Sequence, residues 1–383
     1  MHNISKKIFS VQDARDLAKK RLPKLVFDFV DGSSGNENLS NVNNRAFEQI
    51  RLDPRVLINV ESRLLKTKFF GSEYDNPFGF APMGMCNLTW PKADNMLAQE
   101  AISNNIPLCL SMAASTSLEE AYELSNGLVW FQLYIGQDEQ FVMDLVNRAH
   151  LCGYKTLILT VDVPILSKRS RDDRNGFDIP FKMSFKNFID FATHPNWSLR
   201  TLYHGAPTNK NYTTSKFAKK FVRGESRGKV NWDTLQKLRD KWKGNLIVKG
   251  VMHPDDAVKI KKYGADAIYI SNHGGRQLDS APVAISMLPK IREAVGSKYP
   301  LILDSGIRSG SDILKSLALG ANFVMIGRPL MYAIGADGNK GLKKILAILK
   351  NELSVSLGLV GLTDINDVDN SIISSNSLRN LDY

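Results

Sequence analysis

The chain has 383 residues, 43% of them hydrophobic, and a net charge of +11 at pH 7. That is enough for a large core, in one domain with a big insertion or in two domains. It contains no apolar run long enough to span a membrane, no His spacing suited to a metal and no recognisable nucleic-acid module.

The N-terminus, with Lys6, Lys7, Asp13, Arg15 and Asp16, lacks the apolar core of a signal peptide. Cys86, Cys109 and Cys152 are odd in number and form no CxxC pair. They read as buried thiols of a reducing compartment. Residues 11–30 read as helical with a break at Pro23, ended by Asp31-Gly32-Ser33-Ser34-Gly35. Residues 40–76 are mixed and read as a cover over one end of the main domain.

From residue 77, short apolar runs alternate with helix-period segments. The expected strands are Phe78–Ala81, Pro107–Leu110, Val129–Leu133, Thr156–Val161, Leu246–Val248, Ala267–Ile270, Leu301–Leu303 and Phe323–Ile326. Between them lie amphipathic segments such as Asp94–Asn104, Asp138–Leu151, Pro254–Tyr263 and Ser311–Leu319. Fully apolar strands alternating with helices imply parallel pairing covered on both faces, and eight such units imply a closed (β/α)8 TIM barrel over about 77–360. The whole chain, 1–383, reads as one such domain with an N-terminal helical segment.

Chemistry in this fold sits at the C-terminal strand ends. Those ends carry Gly84, Ser111, Gln132 and Tyr134, Thr160 and Asp162, Lys249, Ser271 and His273, Asp304 to Arg308, and Gly327-Arg328. Lys249 abuts its strand directly, as a functional cation or as a structural ion-pair partner. The last two ends, Asp304-Ser305-Gly306-Ile307-Arg308 and Gly327-Arg328-Pro329, suit a phosphate held by loop N–H groups, a short helix N-terminus and two arginines.

After the fourth strand the rhythm stops. Lys168-Arg169-Ser170-Arg171 is followed by a long insertion, about 175–229, without clear periodicity. Within 210–229 stand Lys210, Lys216, Lys219, Lys220, Arg223, Arg227 and Lys229 against Glu225, interleaved with Tyr212, Phe217 and Phe221. This reads as a solvated lid or as a docking segment for an anionic membrane surface. Phe217 and Phe221 are placed to share a helix face. The tail is helical and apolar-periodic over Leu342–Leu359, and 364–383 reads as polar and loosely held.

The sixth strand runs into Ser271-Asn272-His273-Gly274-Gly275-Arg276-Gln277-Leu278-Asp279. An imidazole can take a proton near neutral pH, a guanidinium can grip a carboxylate through two hydrogen bonds, and the glycines allow a sharp turn. Together they suit a substrate with an acidic group beside the reacting carbon. A glycine turn with a surface His and Arg is the structural alternative.

This stretch resembles the signature of the FMN-dependent 2-hydroxy-acid oxidases and dehydrogenases. The resemblance runs from Arg21-Leu22-Pro23-Lys24 to the C-terminal helix, through Trp130–Tyr134, Leu159–Asp162, Val248-Lys249-Gly250 and Ile326–Pro329. Leu88-Thr89-Trp90-Pro91-Lys92 and His194–Leu199 look nearest the mandelate dehydrogenases, with flavin-type lactate dehydrogenases next. The resemblance implies FMN over the barrel mouth. Arg308, Gly327 and Arg328 would meet its phosphate, Gly84, Ser111, Gln132 and Thr160 its ring, and Lys249 its N1 side. Ser271, Asp304 and Gly306 complete the implied cofactor set. His273 would be the base, Asp162 its orienting carboxylate, Arg276 and Arg169 the substrate-carboxylate clamp, and Tyr134 a partner near the substrate hydroxyl.

Two positions depart from the family pattern. Phe29 stands where a carboxylate-binding tyrosine is usual, and Ala113 where glycolate oxidase carries a bulky aromatic. Both imply a bulkier apolar 2-hydroxy acid in place of glycolate. The expected reaction is oxidation of an (S)-2-hydroxy acid, lactate- or mandelate-like, with electrons passed to a membrane quinone. An oxygen-using oxidase and a non-redox FMN barrel are the alternatives. The resemblance also implies a homotetramer. The expected location is the cytoplasmic side, soluble or peripheral to the inner membrane, with no nucleic-acid partner and no metal.

Overall fold

A computed structural model of the chain describes residues 4–177, 184–218, 225–375 and 377. Eight parallel strands close into a barrel: β1 (Phe78–Met83), β2 (Leu108–Ser111), β3 (Val129–Leu133), β4 (Thr156–Thr160), β5 (Asn245–Val251), β6 (Ala267–Ile270), β7 (Leu301–Leu303) and β8 (Phe323–Ile326). β8 pairs with both β7 and β1, which closes the ring. Each expected strand is present, four with the expected bounds and four with one or both ends displaced by one to three residues.

Side-chain alternation along these short strands builds two cores. One parity packs outward against the helices. The other fills the barrel with Ala81, Cys109, Trp130, Ile158, Ile247, Tyr269, Ile302 and Met325, among others. Stepping two residues further on from these leads to Met83, Ser111, Gln132, Thr160, Lys249, Ser271, Asp304 and Gly327. The polar strand exits are therefore the top layer of the same inward-facing set. A hairpin, Thr67–Phe69 paired with Ser72–Tyr74, plugs the opposite end. There Phe69 and Tyr74 pack on Phe323, with ring centroids 5.2 and 5.5 Å away. Chemistry is left the C-terminal mouth.

The N-terminal helices flank that mouth. Ser10 caps the helix Val11–Arg21 by accepting from the Asp13 amide at 3.1 Å, and Pro23 restarts the chain as Lys24–Asp31. Asp31 is the anchor: it accepts from Arg15 at 2.6 Å, Arg171 at 2.7 Å and the Tyr332 hydroxyl at 2.8 Å. This ties the N-terminal segment to the short helix Ser170–Arg174 after β4 and to the last helix, Arg328–Leu359. That helix breaks at Gly338 (φ +57), where a Cβ would lie 2.9 Å from the Trp90 ring.

Three expectations need correction. The mixed stretch 40–76 opens on a regular helix, Asn38–Gln49, and ends in the hairpin of residues 67–74. The insertion holds helices Phe185–Ala192, Pro195–His204 and Lys210–Thr213. Ser184 caps the first of these and Pro195 opens the second, local signals that a search for core periodicity passes over. The tail is docked up to Ser377: Ile372 and Ile373 are buried, Ile373 bridges Leu52, and the Ser377 hydroxyl accepts from the Arg51 amide at 2.8 Å. Phe221, Lys219, Lys220 and Arg223 of the expected basic segment lie outside the described residues.

Candidate active site

Three consecutive residues after β6, His273, Gly274 and Gly275, have φ of +59, +63 and +76. A non-glycine residue there is strained, and the surroundings hold it. The Ser271 hydroxyl accepts from the His273 amide at 3.0 Å, the Ser305 hydroxyl from the Gly274 amide at 3.0 Å and the Asn272 side chain from the Gly275 amide at 3.2 Å. The glycines are sterically required: a Cβ would sit 2.6 Å from Arg328 Nη1 at Gly274 and 2.7 Å from the Ser40 amide at Gly275. Asn272 is locked in turn by a reciprocal amide pair with Asn43, at 2.9 and 2.8 Å. Asp279 accepts from the Asn36 and Leu39 amides at 3.0 Å each. The signature stretch thus seats the helix Asn38–Gln49 as well as presenting His273.

His273 Nδ1 lies 3.0 and 3.1 Å from the two carboxylate oxygens of Asp162. With Nδ1–H donating there, Nε2 faces the cavity and carries the lone pair. Burial pushes the imidazole pKa below its ordinary value, against the pull of Asp162, so the ring is neutral at pH 7. Burial works to raise the Asp162 pKa, but the neighbouring His273 and Lys249 hold the carboxylate below its usual range. Lys249 is 2% exposed, with its Nζ 3.8 Å from Asp162. Burial works against its charge, and Asp162 and Asp304 more than offset that, so it stays an ammonium. Gly250 makes the cluster possible: its φ is +99, and a Cβ would lie 2.5 Å from Asp162 Cβ.

Strand register sets the rest of the floor. Ser111 lies opposite Gln132, and Thr160 opposite Lys249. The Ser111 hydroxyl donates to Gln132 Oε1 at 3.1 Å, and Gln132 Nε2 to Thr160 Oγ1 at 3.0 Å. Tyr269 donates to Asp304 at 2.8 Å beneath Lys249. Ser271 is fully buried under His273.

Two adjoining cavities open at this mouth. One, about 170 Å³, is lined by Gly84, Lys249, Asp304, Gly306, Arg308, Gly327 and Arg328. The other, about 150 Å³, is lined by Phe29, Ser111, Tyr134, Arg169, His273 and Arg276 with their neighbours. Phe29, Gly84, His273 and Arg276 border both. Gln132, Thr160 and Ser271 border neither of these two, and form the layer beneath or beside them.

The first cavity fits a phosphorylated cofactor. Burial lowers the Arg308 pKa, and the neighbouring Arg328 charge adds to this, so an anion would relieve two crowded cations. A Cβ at Gly327 would meet nothing nearer than 3.8 Å, which leaves the backbone open to a ligand. Which helix terminus helps is now clear. The amides of Arg308 and Ser309 are taken by the Asp312 carboxylate at 2.9 Å each. The helix Arg328–Leu359 begins at Gly327 without a side-chain cap. Arg328 itself donates to the Gly274, Gly32 and Val30 carbonyls, at 2.7, 2.8 and 3.2 Å, so it also ties the N-terminal segment to the mouth. Lys249, at the other end, fits the electron-rich edge of a flavin.

In the second cavity Arg276 donates to the Phe29 and Gly32 carbonyls at 2.8 Å each, with its guanidinium carbon 5.4 Å from the Phe29 ring centroid. Phe29 stacks on Phe177 at 4.5 Å and 11°. Burial raises the Tyr134 pKa, so its phenol keeps its proton. Arg169 immediately precedes the short helix Ser170–Arg174. Residue-by-residue reading did not reach Phe177, Asn272, Ser305 or the cavity-facing role of Arg227. Phe177 and Arg227 come from the insertion, where no local signal marks them.

A buried imidazole–carboxylate pair, a lysine and an anion-binding corner at one barrel mouth define an oxidoreductase that works with a phosphorylated cofactor. Residues 18–375 match the FMN-dependent dehydrogenase family, and the chain belongs to it. It is 36% identical over 382 residues to (S)-mandelate dehydrogenase of Pseudomonas putida, covering 98% of this chain and 96% of that one. It is 36% identical over 374 residues to L-lactate dehydrogenase of Pseudomonas syringae pv. syringae (strain B728a), covering 96% and 98%. A crystal structure of the monotopic membrane protein (S)-mandelate dehydrogenase superposes with a TM-score of 0.90 at 36% identity, over 96% of this chain and 99% of that one. The chain is thus an FMN-dependent member of the 2-hydroxy-acid dehydrogenases and oxidases.

Proposed function

We propose that the protein oxidises an (S)-2-hydroxy acid of the lactate or mandelate type to the 2-oxo acid and delivers the electrons to a membrane quinone. The observation that carries the chemical part is the cluster at the mouth: His273 Nδ1 lies 3.0 Å from Asp162, and Lys249 Nζ lies 3.8 Å from the same carboxylate. Arg276 and Arg169 bind the substrate carboxylate. Tyr134 donates its phenolic proton towards the substrate hydroxyl. His273 Nε2 removes a proton from the substrate, and Asp162 stabilises the imidazolium that results. FMN, when bound, would supply the acceptor for the two electrons and for the second hydrogen that the hydroxy acid loses. Lys249 would stabilise negative charge at the cofactor edge, and Arg308, Gly327 and Arg328 would hold the phosphate. The stacked Phe29 and Phe177 favour a larger apolar side chain over that of glycolate.

The membrane part rests on an exposed apolar face. Phe185, Leu202 and Tyr203 are 81, 79 and 86% exposed, and Phe188 and Leu199 join them. These residues lie on Phe185–Ala192 and Pro195–His204, upstream of the basic stretch 210–229 that composition alone singles out. Apolar residues beside basic ones suit a lipid surface. Among the described residues no helix is long and apolar enough to cross a membrane. We also propose a homotetramer, to be checked by sedimentation velocity.

The deciding experiment adds (S)-mandelate or L-lactate to the holoenzyme without oxygen. Loss of the flavin absorption band supports the reaction. An unchanged band with both acids overturns it. Reoxidation in air as fast as by a soluble quinone would favour the oxygen-using alternative.

A further inference from the structure

Among the described residues, the cavity beside His273 is lined by three guanidinium groups, Arg169, Arg227 and Arg276, and by no carboxylate. A monocarboxylate substrate needs one clamp, which Arg276 with Arg169 supplies. Arg227 enters from another part of the chain, just before the helix Trp232–Lys241. Its amide donates to the Pro164 carbonyl at 2.9 Å, which pins the backbone against the exit of β4. Its guanidinium carbon lies 4.7 Å from the centroid of the Tyr134 ring. The Tyr212 hydroxyl faces the same guanidinium. Stacking on an aromatic face fixes the guanidinium plane and leaves in-plane N–H groups to grip an anion. Between the arginines run the apolar walls of Phe29, Phe177 and Ala113, which suit a short hydrocarbon spacer.

We propose that the preferred substrates are 2-hydroxy acids that carry a second carboxylate at the far end of the side chain, and that Arg227 selects it. This rests on the hydroxy-acid oxidation proposed above and deepens it. One carboxylate meets Arg276 and Arg169 beside the reacting carbon. The spacer lies along Phe29 and Phe177. The distal carboxylate meets Arg227, a contact that a monoacid cannot make.

The test uses the holoenzyme, anaerobic flavin reduction and two matched pairs: (S)-2-hydroxyglutarate against (S)-2-hydroxypentanoate, and 4-carboxymandelate against 4-methylmandelate. A lost charge-assisted bond predicts a diacid preference in kcat/KM of about 10- to 100-fold. Arg227→Met should collapse that ratio towards one. Arg227→Lys, which keeps the charge but not the stacked plane, should retain part of it. A wild-type ratio of one or less overturns the proposal, as does a ratio unchanged in Arg227→Met or lost equally in Arg227→Lys. If monoacids reduce the flavin and diacids do not, the oxidation reading stands and this proposal falls. If neither class does, the oxidation reading has failed and this one with it.

Discussion

Replacing Asp162 by Asn removes one negative charge 3.0 Å from His273 Nδ1 and leaves the volume almost unchanged. That charge matters most when the imidazole becomes an imidazolium. At 3.0 Å and an effective dielectric near 20, the attraction is about 5 kcal/mol, or roughly 10³- to 10⁴-fold in rate. The Asn oxygen can still accept from Nδ1–H, so we expect a loss of about 10²- to 10³-fold in the rate of flavin reduction. FMN should stay bound, because Arg308, Gly327 and Arg328 are untouched. The assay is anaerobic stopped-flow with saturating hydroxy acid, with the visible spectrum of each preparation as the control for cofactor content. A reduction rate within about tenfold of wild type, with FMN in place, would refute the assignment of Asp162 as partner of the base.

Three further outcomes are expected. Phe29→Tyr puts a hydroxyl at the edge of the Arg276 site, and should lower KM for lactate and glycolate by about tenfold or more in steady-state assays; an unchanged KM would count against that placement. Phe188→Glu combined with Leu202→Glu changes two exposed side chains and should abolish co-sedimentation with anionic vesicles, with the thermal midpoint barely moved; retained binding would move the membrane face elsewhere. The Asp94 carboxyl is raised to about 6 by burial, although it accepts from the Ser115 amide at 2.9 Å. A raised folded pKa means the folded state holds the proton more tightly. Its stabilising contribution is therefore full below the unfolded value near 4 and fades as pH rises through about 6. Between pH 7 and 5 this group should add about 1 kcal/mol in urea unfolding, and Asp94→Asn should lack that gain. Equal pH dependence in both proteins would show that Asp94 titrates normally.

Much of the barrel was legible because its strands are short and apolar on both faces. Leu157-Ile158-Leu159 and Ala267–Ile270 announce burial by composition alone, and the glycines and polar residues after them announce the exits. Strand ends slipped by up to three residues because pairing with neighbours, as at Lys249 and Val251 against Tyr269 and Ile270, extends a strand beyond its apolar run. The helices in the insertion were missed because their apolar faces, with Phe185 and Leu202, meet no core and follow no core period.

By itself the sequence determined which side chains face the barrel mouth. Alternation with period two carries Ile247 to Lys249 and Trp130 to Gln132 whatever the rest of the chain does. It also determined that His273, Arg276 and two glycines share one turn. Only the tertiary structure decided that Asp162 would meet His273 and Lys249 over the bare backbone of Gly250, and that Asn43 would lock Asn272. It alone brought Phe177 and Arg227 to the cavity. Those contacts join residues far apart in the chain, and no local pattern of hydrophobicity or turn chemistry encodes a meeting of that kind.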